Sequence, residues 1–260
     1  MHTRKKYILG NWKMNLTSEE IQRFFSDFNN EYIPNPNIQA NIQIGVAAAF
    51  PYLEKVKVLS QNKIITGAQN IHFAGNGAYT GEVSPVMLND LGISFALVGH
   101  SERRQYFGET SKVVAKRAAA AIAHNIIPII CIGETHAEFE AEETFNVIQR
   151  QLIESTENCF ESAQNVLPVI AYEPVWAIGT GLSASSEQVN SVHRFILNKL
   201  SDLLNHNKLK ANSVSVIYGG SVNAKNCKEL STLETLDGFL IGGSSLKPAE
   251  LNEIIRQSFN

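Results

Sequence analysis

The sequence predicts an α/β protein built as a single closed (β/α)8 barrel. Eight short apolar runs alternate with helical patterns, and unusual polar or glycine residues follow several of the runs directly. Eight strand–helix units in 260 residues leave about thirty residues for each unit, which suits a barrel. An open, doubly wound parallel sheet is the structural alternative.

The eight apolar runs predict buried parallel strands. Each is a near-continuous run of Val, Ile, Leu and Ala, a pattern typical of strands that are covered on both faces. The runs occupy residues 7–10, 43–47, 64–67, 95–99, 126–132, 168–172, 214–218 and 238–241.

Helical periodicity fills the segments between these runs. The i, i+3, i+4, i+7 spacing of one apolar stripe is carried by Ile21, Phe24, Phe25 and Phe28. Thr17 with Glu20, and Ser185 with Gln188, are predicted capping boxes of two helices. Residues 134–153 and 248–259 also predict helices. Because no Gly-, Ser- or Pro-rich linker interrupts the chain, residues 1–260 are expected to form one domain.

Composition and charge exclude several classes of function. The net charge is −3 and no basic run follows residues 4–6, so nucleic acid is not an expected partner. The longest apolar stretch, residues 118–132, is interrupted by polar residues and a proline, so no membrane span is expected. Three widely spaced cysteines and an N-terminus without a signal-peptide core predict a cytoplasmic location.

Chemically useful side chains follow three of the predicted strands. Asn11 and Lys13 follow the first, His100 and Glu102 follow the fourth, and Glu173 follows the sixth. In a barrel these positions meet at the C-terminal mouth, where active sites lie, whereas an open sheet would spread them along an edge.

Glycine-rich turns follow the seventh and eighth predicted strands. Gly219, Gly220 and Ser221 form the first turn, and Gly242 with Gly243 begins the second. Glycines let backbone N–H groups approach an anion, and the loops after these two strands are the usual phosphate site of such a barrel. Either pair alone would indicate only a turn, but both together predict phosphate binding.

Glu173 is the candidate general base. It follows a buried strand directly, and a partly desolvated carboxylate is a stronger base than a hydrated one. A salt-bridged structural glutamate is the alternative. The apolar segment at residues 175–181 contains Trp176 and ends in glycines, which predicts a lid that covers the site and excludes water.

His100 and Lys13 are candidates for stabilising negative charge. His100 is expected to open a short helix, whose N-terminus disfavours the imidazolium form, so that a neutral ring could polarise a carbonyl. Lys13 is a natural partner for an anion at the mouth. The alternatives are a structural histidine and a solvated lysine.

No metal or organic cofactor is expected. The His100-x-Glu102 pattern occurs in zinc deaminases, but the P-C-x-x-C segment that such a site needs is missing from the sequence. Residues 179–184 match G-x-G-x-x-A, yet they follow the sixth strand rather than opening a first βα unit, which argues against a dinucleotide site.

Seven segments together resemble the triosephosphate isomerase family, in order and over nearly the whole chain. The longest, AYEPVWAIGTG at residues 171–181, is highly specific. The others are GNWKMN at 10–15, GAQN at 67–70, TGEVSP at 80–85, VGHSERR at 98–104, YGGS at 218–221 and DGFLIGG at 237–243.

The resemblance implies a TIM barrel that interconverts dihydroxyacetone phosphate and D-glyceraldehyde 3-phosphate through an enediolate. It implies that Glu173 is the base, that His100 is a neutral electrophile, and that Lys13 and Asn11 hold the substrate while Glu102 organises Lys13. The roles of base, neutral histidine and lid are those known for this family. The implied phosphate ligands are the backbone N–H groups of Gly179, Ser221, Gly242 and Gly243.

The resemblance also implies a homodimer, in which the loop at residues 69–81 packs against the partner. An ordinary surface loop is the alternative. Tyr218 and Ser221 would hold the closed lid. Two positions depart from the family pattern: Leu182 replaces the usual lysine at the distal end of the lid, and Ser244 replaces a common alanine.

Two other classes of function remain to be weighed. A barrel aldolase or synthase would need a Schiff-base lysine on a strand, and none of the eight predicted strands contains a lysine. A scaffold or surface-adhesion protein would not need a base, an electrophile, a lysine and a lid together. A secondary binding role stays open.

Overall fold

The computed structural model of the chain describes residues 4–32, 42–161, 165–177, 183–210 and 213–259. Eight parallel strands pair in chain order and close through β1 and β8 into a barrel. The strands are β1 Lys6–Asn11, β2 Ile42–Ala48, β3 Ile65–Ala68, β4 Phe95–Val98, β5 Ile127–Ile132, β6 Val169–Tyr172, β7 Ser215–Tyr218 and β8 Gly238–Ile241. Every strand end lies within one residue of its predicted position, so the barrel is confirmed and the open sheet is wrong.

Helices cover the outside of the barrel. In chain order they are α1 Ser18–Glu31, α2 Leu53–Leu59, α3 Pro85–Asp90, α4 Ser101–Phe107, α5 Ser111–Ala123, α6 His136–Glu140, α7 Thr144–Ser155, α8 Ser186–His206, α9 Cys227–Leu230 and α10 Pro248–Gln257. Within the described residues, three short 3-10 helices lie at Phe50–Tyr52, Val175–Ala177 and Gly243–Leu246. No helix of the described part is both long and apolar enough to cross a membrane.

Both predicted capping boxes are present in the structure. At α1 the Glu20 carboxylate accepts the backbone N–H of Thr17 at 2.7 Å, and the Thr17 hydroxyl accepts the backbone N–H of Glu20 at 3.5 Å. Ser185 and Gln188 form the same reciprocal pair at α8. These boxes satisfy N–H groups that the first helical turn cannot pair internally.

The single helix predicted over residues 134–153 is wrong. Two helices, α6 and α7, replace it, and residues 141–143 between them are not helical. Glu142 has φ 58°, a left-handed conformation that no right-handed helix accommodates. Glu134 precedes both helices and is fully buried. The last predicted helix ends two residues early, at Gln257, because the backbone of Ser258 is extended, with φ −92° and ψ 138°.

The apolar core has two layers. Alternate strand residues point into the barrel, where side chains such as Leu9, Leu97 and Ile129 pack together. The strand residues between them point outward and pack against apolar side chains of the helices, such as Phe25 and Phe28 of α1. The barrel interior is therefore filled with side chains, and a ligand site is expected at its mouth.

A cluster of charged side chains closes the opposite end of the barrel, which we call the N-terminal end because the strands begin there. Asp237, directly before β8, accepts from Arg4 Nε at 2.5 Å and from Lys6 Nζ at 3.0 Å. Its carboxylate also accepts the backbone N–H of Val216 at 3.0 Å. The carboxylate thus joins β7 to β1 at one end of the barrel.

Candidate active site

A pocket of about 290 Å³ opens at the C-terminal mouth. It is large enough for a small phosphorylated molecule and smaller than most drug-sized sites. Seven of the nine predicted site residues line it: Asn11, Lys13, His100, Glu173, Ser221, Gly242 and Gly243. Glu102 lies beside the pocket and contacts Lys13. Gly179 and the departure at Leu182 lie outside the described residues.

Lys13 is held at the pocket by both its backbone and its side chain. It adopts φ 53°, its backbone N–H donates to Asn11 Oδ1 at 3.0 Å, and its carbonyl accepts from Gln69 Nε2 at 2.8 Å. Its ammonium donates to Glu102 Oε1 at 2.5 Å. The positive charge is therefore fixed at the pocket wall rather than free in solvent.

His100 is the N-cap of α4, as predicted. Its Nδ1 accepts the backbone N–H of Glu102 at 3.3 Å. A ring nitrogen that accepts a hydrogen bond carries no proton, so the neutral ring has its proton on Nε2. Nε2 lies 3.3 Å from Glu173 Oε1, at the pocket. The ring can therefore donate one hydrogen bond without a full positive charge.

Glu173 follows β6 and is 2% exposed. Its Oε2 accepts the backbone N–H of Ser101 at 3.0 Å, and its own backbone N–H donates to the carbonyl of Ile132 at 2.8 Å. The Cys131 thiol lies next to it. Burial holds the pKa of that thiol well above its ordinary value, and the Glu173 carboxylate raises it further. The thiol therefore stays protonated and adds no negative charge beside Glu173.

The opposite wall is built from backbone. Gly242 and Gly243 begin the short 3-10 helix after β8. Among the described residues, a β-carbon at Gly243 would find no atom within 4 Å, and one at Gly242 would find only Lys13 Cε, at 3.8 Å. The carbonyl of Ser221 accepts from Asn226 Nδ2 at 2.9 Å, which orders the loop after β7. This wall leaves open space for an anion next to backbone N–H groups and a lysine.

Sequence comparison identifies the family. A model of the triosephosphate isomerase family matches residues 6–258 of the chain. The chain belongs to the triosephosphate isomerase family. The expectation of an isomerase of this family is confirmed, and the barrel aldolase and the non-catalytic scaffold no longer compete with it.

Curated relatives support the same assignment over the full length. Three proteins named triosephosphate isomerase come from Alkaliphilus oremlandii, Mesomycoplasma hyorhinis and Thermoanaerobacter sp. strain X514. The first is 42% identical over 254 residues, which cover 97% of this chain and 99% of the relative. The second is 42% identical over 245 residues, with 94% of each chain covered. The third is 40% identical over 254 residues, covering 97% and 99%.

Sequence reasoning about this triosephosphate isomerase family member missed Gly133. A β-carbon at Gly133 would lie 1.7 Å from the carbonyl oxygen of Glu173, so only glycine lets the ends of β5 and β6 come this close. The signal was present, because this glycine directly follows an apolar strand as the other site glycines do.

Glu134 was also missed as a site residue, because it was assigned to a helix. Its Oε1 accepts from Trp176 Nε1 at 2.8 Å and from the Tyr172 hydroxyl at 3.1 Å. Burial raises the pKa of this carboxyl, and the hydrogen bond from Trp176 opposes that shift. Phe139 stacks on Trp176 with 4.5 Å between ring centroids. The first residues of the predicted lid are therefore anchored by the loop after β5.

The rest of the predicted lid is not described. Residues 178–182 lie outside the described ranges. Tyr218, the predicted latch, has a buried side chain. Burial raises the pKa of Tyr218 to about 12, and a hydrogen bond with the backbone of Ala184, just beyond these residues, opposes the shift.

The loop at residues 69–81 is structured by aromatic packing. The His72 ring lies 4.2 Å from the Phe73 ring and 4.3 Å from the Tyr79 ring, measured between centroids. Phe73 remains 38% exposed and Tyr79 45% exposed in the single chain. Exposed apolar side chains that lie together form a patch, and large patches of this kind occur at protein interfaces.

Proposed function

We propose that this chain interconverts dihydroxyacetone phosphate and D-glyceraldehyde 3-phosphate by proton transfer through an enediolate. The observation that carries the proposal is the placement of Glu173, His100 and Lys13 around one small pocket beside a backbone-lined wall. Membership of the triosephosphate isomerase family supplies the reaction.

Glu173 is the proposed base. Its carboxylate removes a proton from one carbon of the triose and returns it to the neighbouring carbon. The residue is 2% exposed, so little bulk water competes with the substrate for its carboxylate. The nearby protonated thiol of Cys131 adds no competing negative charge.

His100 and Lys13 stabilise the charge that this proton transfer creates. His100 Nε2–H donates to the oxygen that becomes the enediolate, and then moves the proton between the two oxygens. Lys13 provides a full positive charge, which Glu102 orients at 2.5 Å, and Asn11 fixes the backbone that presents it. Donors placed before the reaction cost no reorganisation when charge develops.

Backbone N–H groups bind the phosphate. Ser221, Gly242 and Gly243 act from the barrel, and Gly179 acts from the lid. Holding the phosphate in the plane of the enediolate prevents its elimination to methylglyoxal, and a closed lid keeps the intermediate away from water. None of these proposed steps uses a cofactor or a metal ion.

We also propose an oligomeric state and a cellular location for the chain. The chain acts as one domain in the cytoplasm and as a homodimer, with the loop at residues 69–81 packed on the partner. The exposed rings of Phe73 and Tyr79 support this contact. Sedimentation should give a dimer, and deletion of residues 73–77 should give a monomer of low activity. A fully active monomer would contradict the dimer.

A coupled assay with glyceraldehyde 3-phosphate tests the reaction. The purified chain should form dihydroxyacetone phosphate, and exhaustive dialysis against EDTA should leave the rate unchanged. Activity that disappears on chelation and returns with zinc or magnesium would sink the metal-free mechanism. No product at any enzyme concentration would sink the reaction itself.

A further inference from the structure

The end of β5 continues beyond its neighbour β4. The last register pair between the two strands is Val98 with Ile130, so the backbone groups that follow on this side of β5 have no strand to pair with. The opposite side stays paired, since the carbonyls of Ile132 and Glu134 accept the backbone N–H groups of Glu173 at 2.8 Å and Val175 at 3.1 Å.

Two side chains take the place of the missing strand. Arg104 Nη2 donates to the carbonyl of Cys131 at 3.1 Å. At the next position on that side, Gln151 from α7 binds Gly133 in both directions. The backbone N–H of Gly133 donates to Gln151 Oε1 at 2.9 Å, and Gln151 Nε2 donates to the carbonyl of Gly133 at 3.0 Å. A carboxamide matches a backbone rung because it has one acceptor and a donor side by side.

Gly133 is also the residue that touches the main chain of Glu173. A β-carbon there would lie 1.7 Å from the Glu173 carbonyl oxygen, so the two backbones are in direct contact. If Gly133 moved, Glu173 would therefore have to move with it, or a cavity would open between the two backbones. Without the carboxamide, an N–H and a carbonyl would lose their partners and turn toward water.

We propose that Gln151 is a positioning residue for the isomerisation, because its carboxamide clamps Gly133 against Glu173 and so sets where the base stands. The inference rests on the proposed function, in which Glu173 moves the proton. Gln151 does not line the substrate pocket, although it lines a neighbouring cavity that Gly133 and Glu173 also border. Its effect must therefore appear in the proton transfer and not in phosphate binding.

Gln151→Leu removes both hydrogen bonds at similar side-chain size. We expect kcat per folded molecule to fall about ten- to a hundredfold, since a misplacement of about 1 Å can cost on the order of 10²-fold. KM and the inhibition constant of inorganic phosphate should stay within about threefold, because the phosphate wall is built on other strands. Gln149→Leu is the matched control, since Gln149 is exposed on the same helix.

Gln151→Glu tests the clamp without changing its shape. An ionised carboxylate cannot donate to the Gly133 carbonyl and repels it, whereas a protonated carboxyl can donate and accept as the carboxamide does. The activity of this variant relative to Gln149→Glu should therefore recover as the pH falls and the carboxyl gains its proton. This variant also keeps the test usable if Gln151→Leu does not fold.

Either of two results would overturn the positioning role: a kcat for Gln151→Leu within twofold of Gln149→Leu, or a relative activity of Gln151→Glu that does not change with pH. Failure of the proposed function looks different. In that case the unmodified chain and the Gln149 variants would not isomerise the triose phosphate at all.

Discussion

The two ends of the barrel each bury an acid, and the acids are held differently. At the N-terminal end, Asp237 is 1% exposed and accepts hydrogen bonds from Arg4, Lys6 and the backbone of Val216. At the mouth, Glu173 is 2% exposed but accepts one backbone N–H at 3.0 Å and faces a pocket. An acid whose acceptors are filled by charged donors holds strands together, whereas an acid that faces a cavity can take a proton from a ligand.

Left-handed backbone occurs at both ends of the barrel. At the N-terminal end, Gln61 and Asn125 adopt φ 52° and 58° in the loops that lead into β3 and β5. The mouth contains Lys13 at φ 53°, a conformation that costs a non-glycine residue about 1 kcal/mol or more. Gln69 and Asn11 hold that backbone in place through the bonds at 2.8 Å and 3.0 Å. At the mouth, these bonds fix a costly backbone conformation that places a charged side chain at the pocket.

Lys13→Ala should give the largest effect. A charge pair at about 4 Å is worth about 4 kcal/mol at an effective dielectric near 20, so kcat/KM should fall by up to about 10³-fold. The affinity for phosphoglycolate, which mimics the enediolate and its phosphate, should fall as well. Lys112→Ala, an exposed lysine on α5, is the control. Equal phosphoglycolate affinity in mutant and parent would remove Lys13 from the site.

Two buried histidines extend the comparison to pH. His100 faces the pocket, whereas His193 of α8 is fully buried beside the rings of Tyr172 and Tyr218. Burial lowers the pKa of His193 from 6.5 to about 4. The unfolded chain therefore takes up this proton at a higher pH than the folded chain, and stability contributed by His193 is lost as the pH falls from 6.5 toward 4.

The loss should reach roughly 3 kcal/mol at the acid end of this window. Urea unfolding across it should show a weaker pH dependence for His193→Gln than for the parent. His206→Gln, at an exposed position near the end of the same helix, should behave as the parent does. Parallel curves for the parent and His193→Gln would mean that His193 is not the titrating group.

Glu173→Asp should reduce activity without loss of stability. The shorter side chain retracts the carboxylate by about 1 Å, which can cost on the order of 10²-fold in kcat. The midpoint of urea unfolding should stay at the parent value, because Glu173 makes few bonds to the fold. Glu187→Asp, exposed on α8, is the control for the substitution itself. Unchanged turnover would exclude Glu173 as the base.

Asp237→Asn, at the N-terminal end of the barrel, should lower stability without loss of activity. It has the smallest expected effect. Arg4 and Lys6 are 17% and 27% exposed, so solvent weakens these ion pairs and the free energy of unfolding should fall by only about 2 kcal/mol. The kcat per folded molecule should stay within about twofold of the parent. A drop in kcat comparable to that of Glu173→Asp would show that the two ends are not separable.

Much of the mouth could be predicted because the strands are easy to locate. Apolar runs set the ends of all eight strands to within one residue, and a barrel brings residues that follow its strands to one face. Lys13 and Glu102 illustrate this, since they are 89 positions apart and lie 2.5 Å from each other. Their meeting follows from topology and needs no knowledge of side-chain packing.

The helices on the outer layer were predicted less well. Residues 134–153 contain apolar and helix-forming side chains throughout, so periodicity alone cannot locate the break at residues 141–143. The assignment of Glu134 to a helix followed from that error. In the structure Glu134 instead anchors Trp176.

The sequence by itself determined the barrel, the order of its strands and the group of polar residues at its mouth, because buried strands and chain order are written in local composition. Only the tertiary structure decided that Gly133 lies against Glu173, that Gln151 replaces a missing strand, and that Asp237 closes the N-terminal end of the barrel. The physical reason is the same in each case. A side chain that pairs with the backbone of a distant residue leaves no periodic trace, since the contact depends on three-dimensional distances and not on neighbours in the chain.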